Sequence, residues 1–337
     1  SWDAFTGENF RRGGFLPESQ RYERAKTFLA TAIELFDSWR GNEIIADKAS
    51  GVFVSDANAG AFSHRDAHFD IAGHFNVPRS PQDRPVIFQA GDSDEGREFA
   101  AASADAIFSR HSQFDAGKAF YADVKRRLSR YGRRPEELLI LPAATFVLAD
   151  TDEQAAELSY EVRRQQVSGQ TAIKLLEQVW NRDLSAYDPD GPLPDIDPDV
   201  GDEHIAKGRA SVRAHRDPLR TAAQWRAKAK AENLSIRELI IETTNRQSFV
   251  GSPATIARDI NEYVQSDASD GFILVPHITP GGLDEFADTV VPLLQEWGVF
   301  RSEYSGSTLR DHLGIGTGNP PNLTPSGSVS PRERARS

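Results

Sequence analysis

From Pro85 onward, short apolar runs alternate with amphipathic stretches, and this alternation constrains the chain more than any other feature. PVIFQAG (Pro85–Gly91), DAIFSR (Asp105–Arg110), LLILPAATFVLA (Leu138–Ala149) and DGFILVPH (Asp270–His277) are apolar on both faces, as buried parallel strands are. Helical segments separate them. One runs from Asp94 to Ala104, and another from Phe114 to Tyr131, closed by Gly132. A third follows Thr151, where Gln154 completes a capping box, and extends to about Val167. Ser252 caps a fourth, with Pro253 at its first position. The last spans Leu283 to Trp297. Such alternation predicts an α/β fold built on a parallel sheet or a β/α barrel.

The flanking segments differ in character. Tyr22 to Trp39 places Tyr22, Ala25, Phe28, Leu29, Ala32, Ile33, Phe36 and Trp39 on one helical face. Residues 51–77 alternate in polarity and predict short strands outside the parallel core. Regularity breaks at about Gly169. Residues 170–245 read as an insertion with helical pieces around a breaker-rich stretch, Tyr187–Asp202, predicted to be a solvated loop. The tail from residue 316 to 337 is rich in Gly, Pro, Ser and Arg and is expected to be disordered, leaving residues 1–315 as one barrel domain.

Composition narrows the function classes. A net charge of −11 opposes nucleic-acid binding, which needs a basic face. No apolar run is long enough to span a bilayer, and the first residues do not read as a signal peptide, which fits a cytoplasmic protein. The absence of cysteine excludes disulfides and thiolate chemistry. Neither a G-x-G-x-x-G nor a P-loop motif is present.

Several segments carry a family resemblance: SWDAFTGENFRRGG, RYERAKTFL, DKASGVF, HRDAHFDIAGHFNVPRSPQDRPVIFQAG, and GFILVPHITPGGLDEFADTVVPLLQEWGVFRSEYSGSTLRDHLG. The closing R-x-E-Y-x-G-x-T-L-R run is the most specific. Together these segments resemble the nitrilotriacetate monooxygenase component A and dibenzothiophene-sulfone monooxygenase group of the bacterial luciferase-like monooxygenases. The resemblance implies a TIM (β/α)8 barrel that uses reduced FMN (FMNH2) and O2 on a small organic substrate, with a separate flavin reductase as partner and a possible homodimer. A closed barrel needs eight strand–helix units, and four are legible here. With no methionine at the start, the chain is expected to begin after the fourth barrel strand and to hold strands five to eight.

Candidate site residues follow. In QAGDSDEG, Gly91 permits a tight turn, and Ser93 offers a hydroxyl at a helix N-terminus that suits a phosphate. The plainer reading makes Gly91 and Ser93 a turn and a cap. The resemblance implies that Ser93, with Gly91 and Asp92 beside it, contacts the FMN phosphate, and that Tyr22 contacts the flavin. The family's histidine four residues before that tyrosine is Glu18 here, a departure that weakens the anion site. Arg11 and Arg12 pair with phosphate or an acidic substrate, or are surface charges. His277, ending a core strand, is a candidate for the substrate pocket or a packing residue. His64, Asp66, His68 and Asp70 alternate, and on one strand would share a face like metal ligands. Three functions therefore stand: an FMNH2-dependent monooxygenase component, an inactive remnant of that family, and a metal-dependent barrel hydrolase.

Overall fold

The computed structural model describes residue 16 and residues 18–201, 217–244 and 247–316. The remarks above on Arg11, Arg12 and the tail from 317 concern residues outside that set, and the side chain of Glu18 is likewise not described. The chain divides into two compact units.

The larger unit takes in residues 18–144, 256–276 and 283 onward. It opens with helix α1 (Glu18–Phe36), followed by two antiparallel hairpins, β1 (Ile44–Asp47) with β2 (Val52–Val54) and β3 (Ala61–Arg65) with β4 (Asp70–His74). As the alternating polarity predicts, each hairpin forms a two-stranded sheet of its own. Leu29, Ile33 and Trp39 are buried as expected, but Phe28 is 61% exposed. The helix ends at Phe36, so Trp39 reaches the core from the following turn. There its indole N–H donates to the Phe75 carbonyl at 2.7 Å. Gly60 allows this approach: a Cβ on it would lie 2.2 Å from the Phe75 carbonyl oxygen.

The parallel strands come next. β5 (Phe88–Gln89) leads to helix α2 (Asp94–Ser103), β6 (Ala106–Ser109) to helix α3 (Phe114–Leu128), and then comes the long β7 (Leu139–Leu148). β5 pairs with β6, and β6 with β7, all parallel. Helix α2 faces the sheet with Ala100, Ala101 and Ala102, all nearly inaccessible, which lets its backbone approach closely. Ile107, Phe120, Val124, Leu128 and Ile140 complete this core. Each large aliphatic or aromatic side chain buried there contributes about 1.5–3 kcal/mol. Arg133 closes the end of α2 by donating to the carbonyls of Ala101 (2.9 Å) and Ala104 (2.7 Å).

β7 continues into the smaller unit, residues 145–255 and 277–282. There Phe146–Leu148 pairs in parallel with β8 (Phe249–Gly251). Helices α4 (Asp152–Gln166), α5 (Gly169–Trp180), α6 (Pro218–Glu232) and α7 (Ile236–Thr243) lie in this unit. Thr151 and Gln154 form the expected capping box of α4. Helices α5, α6 and α7 share a core of Ile173, Leu176, Trp180, Ala222, Ile236 and Ile240. The stretch predicted to be a solvated loop is pinned to that core: the carbonyl of Ile196 accepts from the Trp180 indole at 2.8 Å, and Arg226 donates to the Pro194 carbonyl at 3.0 Å. Its acidic residues point outward while its carbonyls are claimed by α5 and α6.

Helix α8 (Pro253–Gln265), strand β9 (Ile273–Pro276), helix α9 (Asp284–Glu296) and the short helix α10 (Leu309–Leu313) complete the order. β9 also pairs with β7, so the sheet has five strands among the described residues. This corrects the count of four and, with it, the assignment of the chain to barrel strands five to eight alone. β8 escaped notice because three residues are too few to show a period.

Candidate functional site

The loops after β5 and β6 leave the carboxyl ends of adjacent parallel strands, the end at which β/α folds place ligands. The first loop holds Gly91, Asp92 and Ser93. Ser93 is the N-cap of α2, and its hydroxyl accepts the Gly96 N–H at 3.2 Å. This leaves first-turn N–H groups of α2 directed out of the helix end, where the helix dipole favours an anion.

Tyr22 reaches this loop from α1. Its hydroxyl sits so close that a Cβ on Gly91 would lie 2.5 Å from it, and one on Gly96 2.6 Å. Gly91 and Gly96 also abut each other, with the Gly91 Cα 3.0 Å from a Cβ on Gly96. Two glycines are therefore needed where strand end, helix start and tyrosine meet. Among the described residues the Tyr22 hydroxyl has no hydrogen-bond partner, although its ring packs on Phe99 at 5.9 Å between centroids.

Asp92 turns its carboxylate toward the second loop. Oδ1 takes the Arg97 guanidinium at 3.1 Å and the His111 ring Nε2 at 2.8 Å. Oδ2 takes Arg110 at 3.1 Å. Burial alone would raise the Asp92 pKa, but hydrogen bonds from His111, Arg110 and Arg97 outweigh it and hold the carboxyl below the usual aspartate range. Arg97 also donates to the Asp92 carbonyl (3.1 Å) and to Asp123 (3.1 Å), and lies 4.8 Å from the Phe120 ring centroid. His111 stacks on the same ring at 4.6 Å. At the start of α2, Asp94 is drawn off by Arg127 at 2.6 Å, so its charge is offset.

The structure thus brings Tyr22, Gly91, Asp92 and Ser93 together. The hydroxyls of Tyr22 and Ser93 and the N–H groups of α2 form a donor set that fits a phosphate, with the Asp92 carboxylate engaged by two arginines and a histidine ring. Gly96, Arg97, Arg110 and His111 were passed over in the sequence. A glycine in the first turn of a helix was the available signal, since such a position ordinarily lowers helix stability. His277 directly follows β9, belongs to the smaller unit and is exposed.

The expected metal face is corrected. His64 ends on β3 and Asp70 begins β4, with Asp66 and His68 in the turn between them, so the four do not line one strand. The His64 ring nitrogens meet Glu34 (2.8 Å) and Asp66 (2.9 Å), and Asp66 accepts the backbone N–H groups of His68 and Phe69. Asp70 pairs with Arg65 at 2.6 Å. Among the described residues no group of three or more His, Cys, Asp or Glu is disposed to hold a metal ion.

The cluster thus lies at the carboxyl end of the first strand of a parallel β/α sheet. The family described as luciferase-like monooxygenase matches residues 12–270. The chain belongs to that family. It is 34% identical over 314 residues to N-acetyl-S-(2-succino)cysteine monooxygenase of Bacillus subtilis (strain 168), covering 92% of this chain and 68% of that protein. It is 37% identical over 311 residues to nitrilotriacetate monooxygenase component A of Aminobacter aminovorans, covering 91% of this chain and 65% of that protein. The crystal structure of DmoA from Hyphomicrobium sulfonivorans superposes with a TM-score of 0.71 at 25% identity, over 94% of this chain and 64% of that one. The fold is therefore the luciferase-like TIM-barrel type, and the chain spans about two thirds of the length of these relatives. No helix among the described residues is long and apolar enough to cross a membrane.

Proposed function

We propose that this protein acts as the oxygenase component of a two-component, FMNH2-dependent monooxygenase, with a separate flavin reductase supplying the reduced flavin and O2 as co-substrate. The observation that carries this reading is the convergence of Tyr22, Gly91, Gly96 and Ser93 at the carboxyl end of β5, in a chain of this family. When bound, reduced flavin supplies the oxygen-activating chemistry, as cofactors do in such enzymes.

The chain's own residues bind and orient. In this reading the Ser93 and Tyr22 hydroxyls and the first N–H groups of α2 hold the phosphate. Gly91 and Gly96 keep that corner narrow, and Asp92 ties the β5 loop to α2 through Arg97 and to the β6 loop through His111. His277, exposed after β9, is a candidate for the substrate pocket. The curated relatives act on a succinylated cysteine and on nitrilotriacetate, going by their names, so a small polar organic acid is the substrate class to test first. The protein is proposed to work in the cytoplasm, where a reductase partner and reduced nicotinamide are at hand, and a homodimer is the assembly to test.

The test is a coupled assay. The full chain, a flavin reductase, FMN and reduced nicotinamide are combined under labelled O2 with candidate acids. The expected result is product carrying one labelled oxygen, dependent on both proteins. Unlabelled product, or product formed by the reductase alone, would count against the proposal.

A further inference from the structure

Two arginines and a histidine meet the Asp92 carboxylate, and they differ in their exposure. Arg97 is fixed by the Asp92 carbonyl, the Asp92 carboxylate, Asp123 and the face of Phe120. His111 is held by Asp92 at 2.8 Å and lies flat on the same phenyl ring. Among the described residues Arg110 hydrogen-bonds only to Asp92 Oδ2, at 3.1 and 3.3 Å, and its side chain is 82% exposed. It stands on the loop after β6, facing the residue that immediately precedes Ser93.

An ion pair this exposed is weak, since water screens it and two long side chains must be ordered to keep it. Its release leaves Asp92 satisfied, because Oδ1 keeps both Arg97 and His111. A phosphate is a better partner: it carries more charge and accepts the planar guanidinium fork bidentately. An anion docking at this helix end meets the negative charges of Asp94 and Glu95 in the first turn of α2, which a neighbouring cation offsets. Asp94 is drawn off by Arg127, and of the two arginines around Asp92, Arg110 is the exposed one.

Resting on the flavin-binding reading above, we infer that Arg110 pairs with the phosphate of the bound flavin, exchanging Asp92 for it, and thereby sets this chain's preference for phosphorylated over unphosphorylated flavin. Asp92 acts as the resting partner that keeps the guanidinium at the mouth of the site. Arg110 is the specificity-determining residue, whereas Ser93 and Tyr22 provide the seat.

The experiment titrates the full chain with FMN and, separately, with riboflavin, following flavin fluorescence. Wild type is expected to bind FMN more tightly than riboflavin. Arg110→Ala should weaken FMN about tenfold while leaving riboflavin unchanged, because only the phosphate is lost as a partner. Arg110→Lys should recover part of the loss, and added salt should narrow the gap between wild type and Arg110→Ala. Circular dichroism confirms that each variant is folded, which the exposure of Arg110 favours. If Arg110→Ala binds FMN as wild type does, or weakens both flavins equally, the assignment is overturned while flavin binding stands. If wild type binds neither flavin, the flavin reading fails and the assignment falls with it.

Discussion

Arg310 closes the motif that most marks this chain's family, and its place in the fold allows a sharp prediction. It is the second residue of the short helix α10, whose N-cap Thr308 and N3 residue Asp311 form a capping box, with Gly314 in left-handed conformation ending it. Its side chain is only 4% exposed, yet every polar contact is satisfied. The guanidinium donates to Asp105 Oδ2 at 2.7 Å and Oδ1 at 3.2 Å, and to the carbonyls of Arg84 and Pro85 at 3.2 Å each. Asp105 in turn accepts the Ile87 N–H at 2.8 Å. One side chain thus fastens the last described helix to the segments that start β5 and β6. Arg310→Ala would leave the Asp105 carboxylate shielded from water without its cation and two carbonyls unpaired. Removing one partner of a buried ion pair costs about 3–5 kcal/mol. At about 2 °C per kcal/mol for a chain of this size, the melting temperature should fall by ~6–10 °C. Differential scanning calorimetry of wild type, Arg310→Ala, Asp105→Asn and the variant carrying both measures this. The double variant should be less destabilised than the sum of its parts, by about 1–3 kcal/mol, because neither charge is left alone. A melting temperature lowered by less than about 2 °C in Arg310→Ala, or strict additivity in the cycle, would refute the reasoning.

Three further outcomes follow from the same contacts. Gly96→Ala drives a Cβ to 2.6 Å from the Tyr22 hydroxyl and 2.9 Å from the Gly91 backbone, so stability should fall by about 1–3 kcal/mol and FMN affinity with it, as read by urea unfolding and flavin titration. Adding Tyr22→Phe should recover part of the stability but not the affinity. His64 is raised above its ordinary value of 6.5 by Asp66 first and Glu34 second, so its contribution is complete below that value and is lost as pH rises through the raised one. The melting-temperature gap between wild type and His64→Gln should therefore shrink as pH rises above 6.5, and a constant gap would contradict the ion pairing. Asp92 is depressed below the ordinary 3.8, so its contribution holds above that value and is lost as pH falls through the lower one. Asp92→Asn should cost about 1–3 kcal/mol near neutral pH and nothing in strong acid, where both proteins carry an uncharged side chain.

Much of the architecture was legible in the sequence because its signals are local. The capping box at Thr151 and Gln154, the left-handed Gly132 and the apolar runs at Asp105–Arg110 and Leu138–Ala149 each depend on a few neighbouring residues, and each appears where it was expected. What escaped depends on contacts distant in the chain. Phe28 fits the apolar face of α1 by period, but lies exposed beside Phe69 of the β3–β4 turn, 6.1 Å between centroids. The alternation of His64 to Asp70 imitates a strand face until the chain reverses inside it. At the candidate site, Ser93 and Gly91 could be read from a strand–turn–helix pattern. The engagement of Asp92 by Arg110 and His111 could not, because it joins two loops 18 and 19 residues apart. Arg310 stood out only as part of a family motif. Its partner Asp105 lies 205 residues away, and no local pattern relates the two.

The central claim is that this chain holds the phosphate of a flavin at the carboxyl end of β5. A crystal structure of the full chain grown with FMN tests it most directly. The predicted result is FMN phosphate oxygens within hydrogen-bonding distance, about 2.5–3.2 Å, of the Ser93 hydroxyl, the Tyr22 hydroxyl and a first-turn N–H of α2. Flavin bound with its phosphate elsewhere, with the Tyr22–Gly91–Ser93 corner filled by water alone, would contradict it.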